Sequence, residues 1–261
     1  MCLANFYGFA AGRESKSFCN NITEEIDGVD WRLDDLGGNE FTHKIKSADL
    51  VIIVANLNSH FEAKQVEFMV MVAEKLAVPI LVYSLYPIKF ALQASEQGIS
   101  LELLDSINKA AVVMQLDGDL LANGMIATTP FIQYYLAKGL ELLSINLILT
   151  IKAIVEPVTQ QELIGVDFTD YCLAFANKGF YQTKLYTQET LFKAEVNSDS
   201  WLKAKVIIVT IFLSTDHALD VFSATSTSIC NMLEESNALL LFAPVIAEHA
   251  QDEAVIALLY K

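Results

Sequence analysis

The sequence predicts an α/β protein whose N-terminal part holds a doubly wound, parallel sheet. The run Leu50–Ala55 contains only apolar residues, which is typical of a strand buried on both faces. Helical patterns stand on either side of the next predicted strand, Pro79–Leu85: His60–Leu76 before it and Ser100–Lys109 after it. Because strands and helices alternate in this order, we expect crossover helices to join parallel strands.

The predicted elements before and after this region continue the alternation of strands and helices. Leu3–Ala10 is predicted as the first strand and Ser17–Asp27 as the first helix. Ala111–Leu116 is predicted as a further buried strand, because it is almost entirely apolar. Together these elements form the predicted N-terminal unit.

The pattern changes in the second half of the chain. Phe131–Val155 is predicted as a long apolar helix that is interrupted near Gly139. Pro157 is expected to end this helix, because proline lacks the N–H that a helix interior uses. A smaller α/β unit is predicted to follow. Its elements are helix Asp170–Asn177, strands Phe180–Leu185 and Lys205–Leu213, helix Asp216–Glu235, and strands Ala238–Val245 and Glu253–Tyr260.

Composition and charge exclude several classes of protein. The chain has 261 residues, 53% of them hydrophobic, which is enough for a large apolar core and unlike a disordered protein. Its net charge is −15, with only 17 basic residues, so we expect no nucleic-acid partner. The longest uncharged stretch, Leu120–Ala137, contains Pro130 and several polar residues, so we expect no direct membrane insertion. The four cysteines are widely separated and form no CxxC pair, which predicts a cytoplasmic protein without a metal site.

Two segments carry candidate chemistry. Ala10–Ser17 follows a strand and ends in Lys-Ser, as a phosphate-binding loop does, but the glycines of that motif are absent at Ala10 and Ser15. An ordinary turn is therefore favoured there. The second segment holds two carboxylates, Asp167 and Asp170, where a loop meets a predicted helix. They are placed to polarise a water or hold a cation, or one of them simply caps the helix.

Five segments, in order and at matching spacing, resemble segments of the bacterial tubulin homologue FtsZ. Ala48–Phe90 carries the clearest likeness and aligns without a gap. The others are Ile26–Trp31, Glu162–Gly179, Lys205–Ile211 and Ser236–Leu259. The resemblance covers most of the chain and implies a tubulin/FtsZ-like α/β fold. It implies a Rossmann-like, GTPase-like domain over residues 1–128, a central helix with a synergy-like loop over 129–168, and a C-terminal α/β domain over 169–261.

The departures from the family fall on the loops that would hold a nucleotide. Where the family has glycine-rich phosphate loops, this sequence has Ala11–Lys16 and Asn58–Lys64, and the second contains no glycine. Glu62 adds a negative charge where the resemblance places the triphosphate, which costs about 4 kcal/mol at about 4 Å separation. We therefore expect no cofactor. In the alternative that GTP or GDP binds with Mg²⁺, the expected contacts are Gly12, Lys16, Asn58 and Ser59.

The family's synergy loop is partly retained. Both of its acids match, at Asp167 and Asp170, while Gly165 stands where the family has asparagine. In the family these acids reach the nucleotide site of the next subunit, so the resemblance implies a catalytic role in trans. The sequence thus predicts a pseudo-GTPase, without GTPase activity of its own, that modulates FtsZ-type filaments through this face. The alternatives are a filament-forming GTPase with a remodelled pocket and a structural scaffold. The expected partners are FtsZ, another FtsZ-like subunit, or a second copy of the chain.

Overall fold

The structure is a computed structural model and describes residues 4–33, 38–90, 98–116, 128–160, 165–193, 200–216, 218–234, 236–250 and 254–261. The chain forms two compact units, Met1–Leu116 with Phe175–Tyr181 and Asp117–Ala174 with Gln182–Lys261. Both units combine helices with strands, which confirms the predicted α/β class.

The first unit alternates strands with helices along the chain. Its elements are β1 (Phe6–Ala10), α1 (Arg13–Cys19), β2 (Val29–Arg32), α2 (Gly38–Ile45), β3 (Leu50–Ala55), α3 (His60–Lys75), β4 (Ile80–Ser84), α4 (Leu101–Ala110) and β5 (Val112–Gln115). The strands form a parallel sheet with the order β2-β1-β3-β4-β5. The alternation was predicted, but β2 and α2 were not. Apolar side chains of β1, β3, β4 and β5 pack against α2, α3 and α4 in one core.

The prediction for the first helix was wrong in position. The helix occupies Arg13–Cys19 rather than Ser17–Asp27, so the predicted turn at Ala10–Ser17 shrinks to two residues. Ile22 and Ile26 are buried with a helical spacing of four, which extended the apolar pattern beyond the real helix. The chain between them forms only a short 3-10 turn.

The second half of the chain begins with helices and continues into a mixed sheet. Its elements are α5 (Pro130–Ala137), α6 (Leu142–Thr159), α7 (Phe168–Phe175), β6 (Gly179–Thr187), α8 (Gln188–Lys193), β7 (Val206–Leu213), α9 (Ala218–Met232), β8 (Leu239–Ile246) and β9 (Val255–Tyr260). The sheet of the second unit has the order β6-β9-β7-β8. Strand β9 is antiparallel to both β6 and β7, whereas β7 and β8 are parallel. Side chains of β7, β9 and α9 and the buried Trp201 form its core.

The long apolar helical stretch is divided where the sequence predicted. Gly139 has a φ of 81°, a left-handed conformation that residues with a side chain rarely adopt, and it separates α5 from α6. A Cβ built on Gly139 meets nothing within 4 Å, so it is the backbone angle and not a lack of space that requires glycine.

The prediction that Pro157 ends this helix was wrong, because α6 continues through Pro157 to Thr159. A proline at this position cannot donate to the carbonyl of Ala153, four residues earlier. Two side chains satisfy that carbonyl instead: the hydroxyls of Tyr171, at 3.0 Å, and Thr210, at 2.7 Å, both donate to it. The missing backbone bond is thereby replaced from α7 and β7.

Helix α6 is also long and apolar enough, by length and composition, to cross a membrane. Of that span, 78% is buried inside the protein. A helix in the core of a protein can be as long and as apolar as a helix that spans a membrane. The burial of α6 accounts for its apolar composition.

Candidate functional site

The carboxyl ends of β1 and β3 mark the switch point of the parallel sheet. Strand β2 lies on one side of β1, and β3, the next strand in the chain, lies on the other. The loops after β1 and β3 therefore lead in opposite directions and leave a crevice between them, which is where doubly wound sheets usually bind ligands. These loops are Ala11–Gly12 and Asn56–Ser59.

A carboxylate of the chain itself, that of Glu62, lies in this crevice. Its Oε2 accepts a hydrogen bond from Ser15 Oγ at 2.5 Å and one from the backbone N–H of Asn56 at 2.8 Å. Glu62 is only 4% exposed, and Ser15 is fully buried. Burial raises the pKa of the nearby Cys19 thiol to about 12, and the charge of Glu62 adds to the rise. One side chain thus joins α1, the β3–α3 loop and the first turn of α3.

Gly12 provides the space that this carboxylate needs. Its φ of 99° and ψ of 178° lie in a region that is essentially restricted to glycine. A Cβ at this position would lie 2.6 Å from Cγ of Glu62 and 2.7 Å from Oε1. The glycine that the sequence offered as a phosphate contact therefore accommodates an internal carboxylate.

Further polar contacts extend from the crevice toward solvent. The side-chain amide of Asn56 donates to Glu14 Oε2 at 2.8 Å, and the hydroxyl of Tyr86 donates to Glu14 Oε1 at 3.1 Å. Glu14 and Tyr86 border an open cleft of about 720 Å³ in the first unit. Its lining mixes charged, polar and aromatic side chains: Arg13, Glu14, Ser17, Phe18, Asn21, Ser59, Phe61, Glu62 and Tyr86.

Two of the other three predicted nucleotide contacts, Asn58 and Ser59, have hydrogen-bond partners within the chain. Asn58 donates from Nδ2 to the carbonyl of Pro87 at 3.0 Å and accepts from the N–H of Lys89 at 2.7 Å, so it links two loops. Ser59 caps α3 by accepting from the N–H of Glu62. Lys16 is half-buried within α1. A role for these residues, or for Gly12, in binding a nucleotide stays a prediction.

The two predicted catalytic acids lie at the start of α7, and both are exposed. Asp167 precedes the helix, and its Oδ1 accepts from the N–H and the hydroxyl of Thr169, each at 3.0 Å. These hydrogen bonds hold the pKa of Asp167 below its usual value, so it is ionised at neutral pH. Asp170 lies in the first turn of the helix. Residues 161–164, which precede this segment in the predicted synergy-like loop, lie outside the described residues.

Sequence reasoning identified Glu62 only as an unfavourable charge and missed its partners. Ser15 and Asn56 lie 47 and 6 residues from Glu62, and nothing in a local pattern connects them. The available signal was indirect: the order of the strands predicts that the ends of β1 and β3 adjoin, and polar residues follow both. Within the described parts of the chain, no group of three or more His, Cys, Asp or Glu side chains is arranged to hold a metal ion.

Comparison with known proteins shows which solved structures this fold resembles. No family model matches the chain, and no curated protein matches it either. Solved structures do. FtsZ of M. jannaschii, in a structure of an empty dimer, matches with a TM-score of 0.72 at 15% identity, over 98% of this chain and 88% of that one. TubZ of type III plasmid segregation matches with a TM-score of 0.60 at 8% identity, over 99% of this chain and 88% of that one.

A third match is TubZ of Bacillus thuringiensis serovar israelensis in GDP-form protofilaments. Its TM-score is 0.61 at 9% identity, over 98% of this chain and 86% of that one. The chain therefore has an FtsZ/tubulin-like fold, which confirms the fold expected from the sequence resemblance. Its low identity to these structures makes it a divergent example of that fold.

Proposed function

We propose that this protein is a pseudo-GTPase with an FtsZ-like fold that modulates FtsZ-type filaments. The observation that carries the proposal is the buried carboxylate of Glu62 at the switch point of the sheet. In doubly wound proteins that bind phosphate, backbone N–H groups at this place face the ligand. Here the N–H of Asn56 and the hydroxyl of Ser15 face Glu62 instead.

Electrostatics and space both oppose a nucleotide at this crevice. A phosphate entering it would meet an acceptor-only, buried carboxylate rather than free donors. To make room, Glu62 would have to leave its two hydrogen bonds, and Ser15 would lose the acceptor for its buried hydroxyl. The open cleft beside the crevice, with Arg13 and Tyr86, supports the alternative that a nucleotide binds in a displaced position.

Calorimetry with GTP and with GDP, each in the presence of Mg²⁺, tests the first part of the proposal. We expect no heat of binding at protein concentrations up to roughly 100 µM, because the donors at the crevice are already engaged. Micromolar affinity would contradict the pseudo-GTPase proposal and favour the filament-forming GTPase. Phosphate release assayed at the same concentrations separates binding from hydrolysis.

The second part of the proposal concerns the face that carries Asp167 and Asp170. Both carboxylates are exposed, and the hydrogen bonds to Asp167 favour its charged form. The sequence resemblance gives the matching acids of the family a place against the next subunit. TubZ is known in protofilaments and FtsZ as a dimer, so subunits of this fold do associate. We propose that this protein docks through the acids on FtsZ, or on another FtsZ-like subunit, in the cytoplasm and blocks further addition.

Substitutions that separate charge from helix capping test this docking. Asp167→Ser keeps a side chain that caps a helix but removes the carboxylate, and Asp170→Asn removes the second charge. We expect the double variant to lose capture of FtsZ from the same cell in a pull-down, while its melting temperature stays close to that of the wild type. Asp220→Asn, at an exposed acid in the first turn of α9, is the matched control. Unchanged capture by the double variant would refute docking through these acids.

A further inference from the structure

The solvent face of α3 carries a stripe of large apolar side chains. Phe61, Phe68 and Met71 are 67%, 47% and 48% exposed, and Lys64 is exposed between them. The spacing of three, four and three residues is the spacing that lines one side of a helix in a coiled coil. We refer to Phe61, Lys64, Phe68 and Met71 as the α3 stripe.

Two side chains of the stripe have contacts within the chain that hold them in place. The Phe68 ring lies against Gly38 at the start of α2, where a Cβ would be only 2.8 Å from Cζ of the ring. Lys64 forms an ion pair of 2.9 Å with Glu67 on the same helix. Side chains that are already fixed lose less conformational entropy on association. Phe68 and Lys64, the two central positions of the stripe, are thus preorganised.

We propose that the α3 stripe pairs with the α3 stripe of a second copy of this chain, antiparallel and about a two-fold axis. In an antiparallel pair of helices, each layer joins a position that precedes a spacing of three residues with a position that precedes a spacing of four. The register that centres on the stripe places Phe61 opposite Met71 of the second copy, and Lys64 opposite Phe68 of the second copy. The first layer is a sulfur–aromatic contact and the second a cation–π contact, so the stripe complements itself.

Charge favours this occupant and this register. The chain carries a net charge of −15, so most of its surface repels another copy. The α3 stripe contains no carboxylate, and the adjacent Glu67 is paired with Lys64. A shift of the register by one heptad toward the C-terminal end of α3 would set Lys64 against Lys75 of the second copy, which is unfavourable. The stripe is therefore a surface on which two copies meet without opposing carboxylates.

The exposed area sets the strength of the dimer. Taking about 200 Å² for a large apolar side chain, the exposed fractions of Phe61, Phe68 and Met71 offer roughly 300 Å² per copy. Stable interfaces bury about 800 Å² per partner. We therefore expect a weak dimer, with a dissociation constant of roughly 10–100 µM.

Sedimentation equilibrium, in enough salt to screen the net charge, tests the dimer. We expect Met71→Glu to weaken it at least roughly tenfold, because the carboxylate would then face the Phe61 ring of the second copy, whose negative ring face repels it. Leu219→Glu, at a 59% exposed leucine on α9, is the matched control and should leave the dimer unchanged. A wild-type chain that stays monomeric to roughly 500 µM, or equal effects of the two substitutions, would overturn the proposal.

A charge exchange tests the register. Lys64→Glu alone should weaken the dimer, because a carboxylate over the Phe68 ring of the second copy is repelled by the ring face. Combining Lys64→Glu with Phe68→Lys restores opposite partners across the axis, so we expect the double variant to dimerise at least roughly tenfold more tightly than the product of the single effects predicts. A purely additive result overturns the register. The dimer needs neither a nucleotide nor the Asp167 face, so its outcome is independent of the proposed function.

Discussion

Replacing Glu62 by alanine is expected to destabilise the protein by about 2–3 kcal/mol. The substitution leaves the buried hydroxyl of Ser15 without its acceptor and opens a cavity between α1 and α3. The same cavity then presents donors to a small anion. We therefore expect formate, and inorganic phosphate, to raise the melting temperature of Glu62→Ala but not that of the wild type. Thermal unfolding followed by circular dichroism measures both effects.

Glu62→Gln is the control for this experiment. The amide keeps an acceptor oxygen for Ser15 and fills the cavity, so a smaller loss, about 1 kcal/mol, and no response to formate are expected. Chloride at the same ionic strength separates anion binding from a general salt effect. An alanine variant as stable as the wild type, or a wild type that gains equally from formate, would show that the carboxylate does not fill an anion site.

Replacing Glu156 by glutamine is expected to cost about 3 kcal/mol, because it leaves the ammonium of Lys152 in a largely buried place. The two side chains form an ion pair of 2.9 Å within α6. Only 16% of the Lys152 side chain and 7% of the Glu156 side chain are exposed. Burial opposes the charge of Lys152, but Tyr135 and Glu156 outweigh it and raise its pKa above the usual value. Urea unfolding at neutral pH measures the loss. Asp105→Asn, which breaks an exposed pair with Lys109 at the same spacing, should cost no more than about 0.5 kcal/mol.

The two proteins should also differ in how strongly their stability falls at alkaline pH. In the wild type the folded-state pKa of Lys152 is raised, so its contribution to stability is complete below the unfolded-state pKa and is lost as the pH rises through the folded-state pKa. Glu156→Gln removes the part of this rise that Glu156 causes, so the folded-state pKa of Lys152 is lower in the variant than in the wild type. The stability difference between the two proteins should therefore shrink as the pH rises above about 10. A difference that stays constant in this range would contradict the role given to the pair.

The fold was predictable because its strands and long helices have strong local signals. The apolar run Leu50–Ala55 is indeed fully buried, and the break at Gly139 follows from a conformation that glycine adopts without strain. The error at Pro157 has a different origin. Proline is tolerated there because Tyr171 and Thr210 replace the lost hydrogen bond at Ala153. Such compensation comes from distant segments and leaves no trace in the sequence around the proline.

The candidate site was predictable in location but not in content. The resemblance and the order of the strands both lead to the loops after β1 and β3. What fills the crevice depends on side-chain directions, because Glu62 could equally have faced solvent from the first turn of α3. The burial of its carboxylate follows from Gly12 and Ser15 on another helix, and only the assembled sheet brings these residues together.

The contacts of Glu62 also bear on how this sequence can change. A glycine in place of Glu62 would remove the carboxylate from the loop, but it would leave the buried Ser15 hydroxyl without its acceptor. A side chain at position 12 would clash with Glu62 for as long as Glu62 is present. Glu62 is thus tolerated only beside a glycine at position 12, and the Ser15 hydroxyl depends on an acceptor at position 62, so substitutions at these three positions have non-additive effects on stability. A return to a glycine-rich loop at position 62 therefore passes through a less stable intermediate unless Ser15 changes with it.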